Sequence, residues 1–566
     1  MDHLMLFSIV CALCCCAAAA DGHEVTVTPG APGEPVLGRA VEAAEPGDVI
    51  HVRKGVYRET ITVTKSVSIV GEEGAVLDPS QPLHPDWRHA EDMGKGVYRA
   101  PVERHPRVLC VDGRLIPELN PENPECSSEE KGDWYWRRLL AVGTPRTGFE
   151  RIRALWVYRQ DEKAMYVHLA DDADPARLHW SASWEAVPII SFRGAANASV
   201  TGLTLAHGYR GVVFEEGALH CALRDCTIGP WDAEGIYLRS GASDCLVERN
   251  EIFRGAYEDW VPHDTSRELY EIWQIHKLAG YWDRVGIDMV RLGAGNRIHA
   301  NHVYETFDGI DLGDSETESL SIPLYDPDAG RDTEIWENVI ERTRDSGIEL
   351  GAGCINVRVH HNILRQTHGG LRYKLPRIGP VFIYRNLLID GTPYNIWYSM
   401  DDSPAEGYVY HNTIIGGKAA LAWQLRRKTP IGTPNWHYLN NLVIGSKGFF
   451  EPWHGEIAPN FTADYNVVAA LPQPGACGAW SCAGRMTPVV VGGGRPFPND
   501  PAKDSSSRYV EAVPLAPGFP PTPLRGGPAV DAGLDLSTYF HGKPLPGCEP
   551  GYFSGKAPDA GAYEVQ

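Results

Sequence analysis

A short phrase with alternating apolar positions recurs along the middle of the chain. It reads Gly286-Ile287-Asp288-Met289, Gly309-Ile310-Asp311-Leu312, Gly347-Ile348-Glu349-Leu350 and Gly370-Leu371-Arg372-Tyr373. The second and fourth residues of each phrase are apolar or aromatic, whereas the third one varies. This period of two is typical of a β-strand that buries one face, so the third position is predicted to point outward. From the N-terminal side, the residues at this position are Val213, Tyr237, Asp288, Asp311, Glu349, Arg372 and Trp397.

A second recurring position holds asparagine, each time followed within two residues by an aliphatic side chain. Its members are Asn250, Asn301, Asn338, Asn362, Asn386, Asn412 and Asn441. A coil of about 24 residues that is repeated with insertions explains their spacing, and such a repeat predicts a parallel β-solenoid. Equivalent residues then stack about 4.8 Å apart. We expect the asparagines to form a hydrogen-bonded ladder at a turn, which makes them part of the scaffold.

The first coils carry a further signal for the fold. Residues 36–44 form an amphipathic pattern typical of a short helix, and short strands are predicted at residues 47–52, 55–59 and 67–71. Together with the later coils, these segments resemble the secreted right-handed parallel β-helix proteins of the pectin-lyase type. The resemblance implies an all-β right-handed parallel β-helix. It leaves the reaction open, because hydrolases, lyases, esterases, epimerases and non-catalytic binders share this fold.

The repeat of the coils, together with the segments that interrupt it, divides the chain into five parts. They are a signal peptide (1–20), an N-terminal cap with the first coils (21–81), an inserted Trp-rich β-domain (82–186), the main β-helix (187–444) and Pro/Gly-rich C-terminal coils with a cap (445–566). Short antiparallel strands are predicted in the insert at residues 155–159 and 164–169. With its tryptophans and the phrase Val111-Asp112-Gly113-Arg114, the insert resembles one found in β-helix glycoside hydrolases acting on galactosides or fucosides. A packing subdomain with a tryptophan core is the alternative interpretation.

Composition and the N-terminal segment indicate where the protein is located and which partners are not expected. The chain has 52 basic and 73 acidic residues, a net charge of -21, so neither nucleic acid nor an anionic membrane surface is an expected partner. The apolar run at residues 4–20 ends in three alanines, which predicts a cleaved signal peptide and a secreted or periplasmic protein without membrane insertion.

Cys221 and Cys245 occupy equivalent places on neighbouring coils. Bridges are expected for the pairs Cys110/Cys126 and Cys477/Cys482, and no cysteine spacing resembles a zinc site.

Three carboxylates occupy successive steps of the outward column. Asp288 and Asp311 are 23 residues apart, and Glu349 follows after one coil and an insertion. Like charges on neighbouring strands destabilise a sheet, so this order calls for a chemical reason. Insertions at residues 255–283 and 313–331 leave the coil beside the column, as the walls of a cleft would.

Glycoside hydrolysis is the favoured hypothesis. It needs a pair of carboxyl groups, and crowding raises the pKa of one of them so that it can act as the acid. The column resembles the acidic cluster of β-helix glycosidases, although it lacks the Asn-Thr-Asp and paired Asp motifs of polygalacturonases. We therefore predict Asp288, Asp311 and Glu349 to be catalytic, with no cofactor and with a polysaccharide or oligosaccharide as the substrate.

A lyase and a binding protein are the two alternative hypotheses. In a calcium-dependent lyase acting on a uronate, Asp288, Asp311 and Glu349 would be calcium ligands and Arg372 or Lys374 the base. In a non-catalytic glycan-binding β-helix, the column would be a solvated acidic face. Substrate contacts are predicted in either enzyme for Asp308, Asp345, His368, Arg372, Lys374, Trp397 and Tyr237. Among these, Trp397 and Tyr237 are expected to offer stacking surfaces for sugar rings.

Overall fold

The computed structural model describes residues 22–31, 33–118, 154–256, 284–313, 330–351, 354–374, 379–391, 394–400, 406–417, 419–425, 435–445, 450–454, 462–472 and 505–565. The predicted signal peptide therefore lies outside the described residues. No helix among the described residues is long and apolar enough to cross a membrane.

Three long parallel sheets, which we call sheets I, II and III, form the body of the described molecule. Each coil of the chain crosses them in the order I, II, III and returns to sheet I one step further along. This architecture confirms the predicted all-β class and the parallel β-helix.

Each sheet stacks its strands one above the other along the axis of the solenoid. In stacking order, sheet I has 11 described strands: Ile61–Val63, Pro188–Arg193, Arg210–Glu215, Ile236–Arg239, Ile287–Val290, Ile310–Leu312, Ile348–Leu350, Leu371–Lys374, Tyr394–Met400, Ala419–Leu425 and Phe450–His454. Sheet II has 13: Glu24–Val27, Val49–Val52, Ser68–Gly71, Ser199–Thr201, Ala222–Arg224, Leu246–Glu248, Arg297–His299, Glu334–Trp336, Val357–His360, Val381–Tyr384, Glu406–Tyr410, Asn435–Leu439 and Thr462–Asp464. Sheet III has 13: Gly55–Tyr57, Ala75–Leu77, Thr204–Leu205, Thr227–Ile228, Glu251–Phe253, His302–Tyr304, Val339–Thr343, Ile363–Thr367, Leu387–Ile389, Thr413–Ile415, Leu442–Ile444, Val467–Pro472 and Arg508–Val513.

The α-helix Val36–Ala43 lies at the start of the solenoid, where the amphipathic pattern predicts one. It buries Leu37 and Val41 against the first strands. The Glu59 carboxylate accepts hydrogen bonds from the backbone N–H groups of Leu37 (3.0 Å) and Gly38 (2.7 Å). These donors have no partner inside the helix, so Glu59 replaces a side-chain cap at its N-terminus.

The asparagine ladder lies at the turn between sheets II and III. Its described members are Asn250, Asn301, Asn338, Asn362, Asn386, Asn412, Asn441 and Asn466. In each step, the Oδ1 atom of one Asn accepts hydrogen bonds from the backbone N–H and the Nδ2 of the preceding Asn, at 2.9–3.1 Å. The residue before each Asn has a φ between +52° and +56°, a conformation that costs about 1–2 kcal/mol for a non-glycine residue. The ladder offsets that cost, and its predicted role as scaffold is confirmed.

The insert between the first coils contains two small antiparallel sheets. One contains Arg114–Leu115, Val108–Val111, Trp180–Ser183 and Gln81–Leu83, and the other Ala154–Arg159, Ala164–Leu169, Val97–Pro101 and Arg88–His89. Short 3-10 helices lie at Glu91–Met93, Ala170–Asp172 and Pro175–Arg177. The strands predicted at residues 155–159 and 164–169 are present and pair antiparallel. Trp156 and Trp180 belong to the core of the insert, as the packing interpretation expects.

The insert is docked on the edge of the β-helix. The Leu115 N–H donates to the Gly255 carbonyl at 3.3 Å, and an Arg114 nitrogen donates to the Ala256 carbonyl at 3.2 Å. On a neighbouring coil, the His207 ring lies within hydrogen-bond distance of the Gly113 carbonyl. These contacts attach the insert at the turn that leads into sheet I.

After the last strand of sheet III, residues 514–565 pack along the outside of the last coils. The Ala562 N–H donates to Thr413 Oγ1 at 2.9 Å, and the Tyr410 hydroxyl donates to the Pro546 carbonyl at 2.6 Å. Outward aliphatic residues such as Leu442 are buried beneath this segment. The C-terminal segment thus covers an apolar flank of sheets II and III.

The described cysteines are buried free thiols. Cys221 and Cys245 lie next to each other on neighbouring coils, as predicted. Cys110 is also free, which contradicts the expected bridge to Cys126. It lies in the interface between the insert and the β-helix, where a small apolar residue is needed. Cys126, Cys477 and Cys482 lie outside the described residues.

Candidate active site

The predicted outward column is one row of residues across sheet I. Asp288 pairs with Asp311, and Asp311 pairs with Glu349, on neighbouring parallel strands. From Val213 to Trp397, the row reads Val213, Tyr237, Asp288, Asp311, Glu349, Arg372 and Trp397. The stacking predicted from the spacing is therefore confirmed, while the catalytic role of the row stays a prediction.

Apolar neighbours hold the row in register. Ile310 and Leu312 flank Asp311 and are 0% and 2% exposed, and the residues that flank Glu349 are fully buried. A shift of one residue would turn these aliphatic side chains to the outside and the carboxylates to the core. The hydrophobic core therefore fixes which residues share the row.

The carboxylates in the row differ in burial. Asp288 and Asp311 are partly exposed, whereas Glu349 is 6% exposed. The Ser346 hydroxyl donates to Glu349 Oε2 at 3.0 Å, and Arg372 Nη1 lies 3.5 Å from the same oxygen. Glu349 is thus held in one orientation, while Asp288 and Asp311 are the more accessible pair.

Arg372 and Trp397 form a stacked pair below the carboxylates. The Arg372 guanidinium carbon lies 4.1 Å from the centre of the Trp397 ring, and Trp397 also contacts Tyr394. Trp397 is only 9% exposed. This burial argues against its predicted use as an open stacking surface, and the ring instead supports Arg372. Lys374 is the last residue of the strand that contains Arg372, and its backbone pairs with Ser399 on the next strand.

The turns that lead into sheet I bring three further predicted residues together. Asp308, Asp345 and His368 are 4%, 6% and 5% exposed. Asp308 Oδ1 accepts a hydrogen bond from the Ser346 N–H of the next coil at 2.8 Å, which explains it as a turn residue. Asp345 Oδ1 lies 3.6 Å from His368 Nδ1, too far for a hydrogen bond but close enough for an ion pair. Asp345 and His368 thus remain candidates for contact with a ligand.

Tyr237 lies above the carboxylates and is enclosed by cations. The guanidinium carbons of Arg210 and Arg239 lie 5.4 and 5.3 Å from its ring centre. Burial and the charge of Asp288 raise the pKa of Tyr237 to about 12. The phenol therefore stays protonated at neutral pH and can donate a hydrogen bond beside Asp288.

The inserted domain brings a further carboxyl group to this edge of sheet I. Glu118 Oε1 lies 2.6 Å from His105 Nε2. Burial raises the pKa of Glu118, and the charge of nearby Asp232 adds to this effect, while His105 and Arg284 oppose it. Arg284 in turn lies 3.5 Å from Asp232, at the turn that precedes the Asp288 strand. Glu118 of the insert and the Asp232–Arg284 pair of the coils are therefore close neighbours.

Two residues near the row, and Glu118 of the insert, carry no prediction from the sequence. Ser346 directly precedes the glycine of the phrase that contains Glu349. A polar residue at this position could have indicated a hydrogen-bond partner for Glu349. Cys354 lies near the row, and burial with the charge of Asp311 raises its pKa to about 12, so it remains a neutral thiol. Glu118 is far away in the chain, and no local pattern points to it.

Two features of the predicted cleft lie outside what the structure describes. Most of both insertions, at residues 257–283 and 314–329, is not among the described residues. Their role as walls stays a prediction. Within the described part of the chain, no group of three or more His, Cys, Asp or Glu side chains is arranged to hold a metal ion.

Comparison with known proteins supports the fold. Residues 188–374 match the family model described as a right handed beta helix region. The molecule is a right-handed parallel β-helix. No curated protein matches the chain in sequence.

Several solved structures are similar to this chain. XylC in complex with xylose is 16% identical, with 78% of this chain and 75% of that chain covered and a TM-score of 0.43. The pectate lyase Pel9A is 12% identical, with 97% and 98% covered and a TM-score of 0.41. The catalytic domain of a GH87 α-1,3-glucanase with tetrasaccharides is 9% identical, with 79% and 69% covered and a TM-score of 0.39.

Proposed function

We propose that this protein is a secreted glycoside hydrolase that cleaves a polysaccharide or oligosaccharide bound along sheet I. The observation that supports this function best is the lateral register of Asp288, Asp311 and Glu349 on three neighbouring strands. Repulsion between stacked carboxylates weakens a sheet, so a purely structural role does not explain their order. Glycoside hydrolysis does, because it needs two carboxyl groups on either side of the scissile bond.

The spacing of the row offers both known geometries. Neighbouring strands are about 4.8 Å apart and alternate strands about 9.6 Å apart at the backbone. A retaining hydrolase needs carboxyl groups about 5–5.5 Å apart, and an inverting one needs about 6.5–9.5 Å. Asp311 with Glu349 suits retention, and Asp288 with Glu349 suits inversion. The anomeric configuration of the first product, read by proton NMR, identifies the acting pair.

The immediate neighbours of the row would position it. Ser346 and Arg372 fix the orientation of Glu349, which suits a base or nucleophile that must point at one atom. Asp288 and Asp311 are more exposed, so one of them is the natural proton donor to the leaving oxygen. Asp345 and His368 lie at the turn beside the row and would contact a sugar hydroxyl.

The experiment is an incubation with a panel of neutral and uronic polysaccharides, in which reducing ends and ultraviolet absorbance are followed together. New reducing ends without absorbance are the expected result. Asp311→Asn should abolish them without unfolding the protein. Activity that is unchanged in Asp311→Asn would overturn the catalytic role of Asp311.

A calcium-dependent lyase is the second candidate, favoured by the cationic Arg372 directly beside Glu349. In this case Asp288, Asp311 and Glu349 would hold calcium, and Arg372 or Lys374 would remove a proton next to a uronate carboxylate. Absorbance that rises with the reducing ends, and is lost with EDTA, would establish this reaction. We prefer hydrolysis because Arg372 is buried and already engaged by Glu349 and Trp397. A panel with no product at all would instead favour a glycan-binding protein.

A further inference from the structure

The inserted domain contains a cavity of about 370 Å³ that is separate from the carboxylate row. Its lining includes Arg104, His105, Arg107, Gln160 and Trp184. Arg107 and Gln160 are exposed, and Trp184 is partly exposed. An indole ring together with several hydrogen-bonding groups is the combination that binds a polar ring-shaped molecule.

The cavity is built by the two small sheets and the segment that returns the chain to the β-helix. Gln160 follows the strand Ala154–Arg159, and the Arg107 N–H donates to the Ser183 carbonyl at 2.8 Å. Trp184 comes directly after the strand Trp180–Ser183. The backbone positions of the lining residues are therefore fixed by strand pairing, which favours a preformed site.

The charges around the cavity are mostly paired within the described part of the insert. Glu103 pairs with Lys163 at 2.6 Å, and Arg104 pairs with Glu185. His105 lies against Glu118. Among the described residues, no carboxylate lies within ion-pair distance of Arg107. The cavity thus carries an exposed guanidinium that can receive an anionic group from a ligand.

We propose that this cavity binds a carboxylate-bearing sugar unit, a hexuronate, with its carboxylate on Arg107 and its ring against Trp184. A planar guanidinium binds a carboxylate through two parallel hydrogen bonds, which explains why an arginine suits this position. Gln160 provides an amide that can bind ring hydroxyl groups. This site goes beyond the proposed hydrolysis, because it binds a sugar without reacting with it.

The position of the cavity connects it with the carboxylate row. Trp184 leads within a few residues into the strand Pro188–Arg193 of sheet I, whose Ser191 belongs to the same column as Asp288. Ser191 lies three strands before Asp288, which is about 14 Å along the axis. On the other side, His105 joins the cavity to Glu118 and so to Asp232 and Arg284. The cavity is therefore joined to the coils that precede the row, on the side where the insert is docked.

The test is a ligand-observed NMR titration of the full chain with glucuronate, galacturonate, glucose, galactose and sodium sulfate as probes. The protein carries Asp311→Asn so that no turnover occurs. A uronate should bind, and Arg107→Gln should weaken that binding by about tenfold or more. Arg107→Lys should retain part of it. Arg177→Gln is the matched control, because Arg177 is an exposed arginine elsewhere in the insert.

Three results would overturn the proposal. These are the absence of uronate binding, equal binding by the protein with and without Arg107→Gln, and sulfate that competes as well as a uronate. The last result would make the cavity a simple anion site. Because the Arg107 side chain is exposed, its substitution should leave the fold intact, and circular dichroism verifies this. Since binding is measured with single sugars, the outcome does not depend on whether the row hydrolyses a polymer.

Discussion

Arg372 Nη1 lies 3.5 Å from Glu349 Oε2, and the two side chains are 7% and 8% exposed. Burial on this scale removes both groups from water, so each depends on the other for the stabilisation of its charge. The pair joins two consecutive coils at the point where the carboxylates of sheet I end. It is therefore a structural support of the candidate site as well as a part of it.

Removal of one partner should destabilise the protein strongly. Arg372→Met leaves Glu349 buried beside an apolar side chain, for which we expect a loss of about 3–5 kcal/mol in the free energy of unfolding. The double variant Arg372→Met with Glu349→Gln should recover part of that loss. Urea unfolding of both variants measures the difference. An equal loss in both would show that the pair is not coupled.

Asp311→Asn should separate catalysis from stability. The amide cannot transfer a proton, so we expect kcat to fall by about 10²–10⁴-fold. The same change removes repulsion towards Asp288 and Glu349, and the unfolding temperature should stay equal or rise. Asp244→Asn, at a turn away from the row, is the control and should change neither quantity. Unchanged kcat in Asp311→Asn would exclude Asp311 from the reaction.

The order of the row could be predicted from the sequence because one period governs both the core and the outward face. Each aliphatic pair such as Ile310 and Leu312 must be buried, and this leaves Asp311 only one direction. Insertions do not disturb this period, since they leave and rejoin the coil at its turns. The asparagine ladder could be predicted for the same reason.

The burial of Trp397 could not be predicted. The predicted position of Trp397 in the row is correct, but the exposed fraction of its ring depends on how the long Arg372 side chain lies across it. The proximity of Glu118 to Asp232 could not be predicted either, because no local sequence pattern links residues more than a hundred positions apart. Contacts of this kind depend on how the insert docks, and the strand period carries no information about docking.

Asn362→Ala should destabilise the β-helix more than Asn250→Ala. Asn362 Oδ1 accepts two hydrogen bonds from Asn338, and its Nδ2 donates to Asn386 and to the Ile335 carbonyl. Each buried group that is left without a partner costs about 1–3 kcal/mol. Asn250 is the first described member of the ladder. The equivalent residue on the preceding coil is Cys226, and Asn250 Oδ1 accepts a hydrogen bond from the Cys226 backbone N–H only. Urea unfolding compares the two, and equal losses would contradict the cooperative ladder.

Glu341 should make the stability of the protein depend on pH in the acid range. Burial alone would raise its pKa, but the hydrogen bond to His302 and the charges of Arg342 and Arg365 lower the pKa to about 2. The folded pKa lies below the unfolded value of 4.5, so this contribution is present above pH 4.5 and is lost as the pH falls towards 2.

In Glu341→Gln, stability should therefore fall at pH 7 and should change less than in the wild type between pH 5 and pH 3. The measurement is the urea midpoint at several pH values in this interval. Glu251→Gln is the control, because Glu251 lies on the same outer face of sheet III, hydrogen-bonded to the Tyr304 hydroxyl. A pH dependence in Glu341→Gln as steep as that of the wild type would mean that other carboxylates govern acid unfolding. The arginines around Glu341 would then be ordinary surface charges, and the stability of these coils would rest on the asparagine ladder and the aliphatic core.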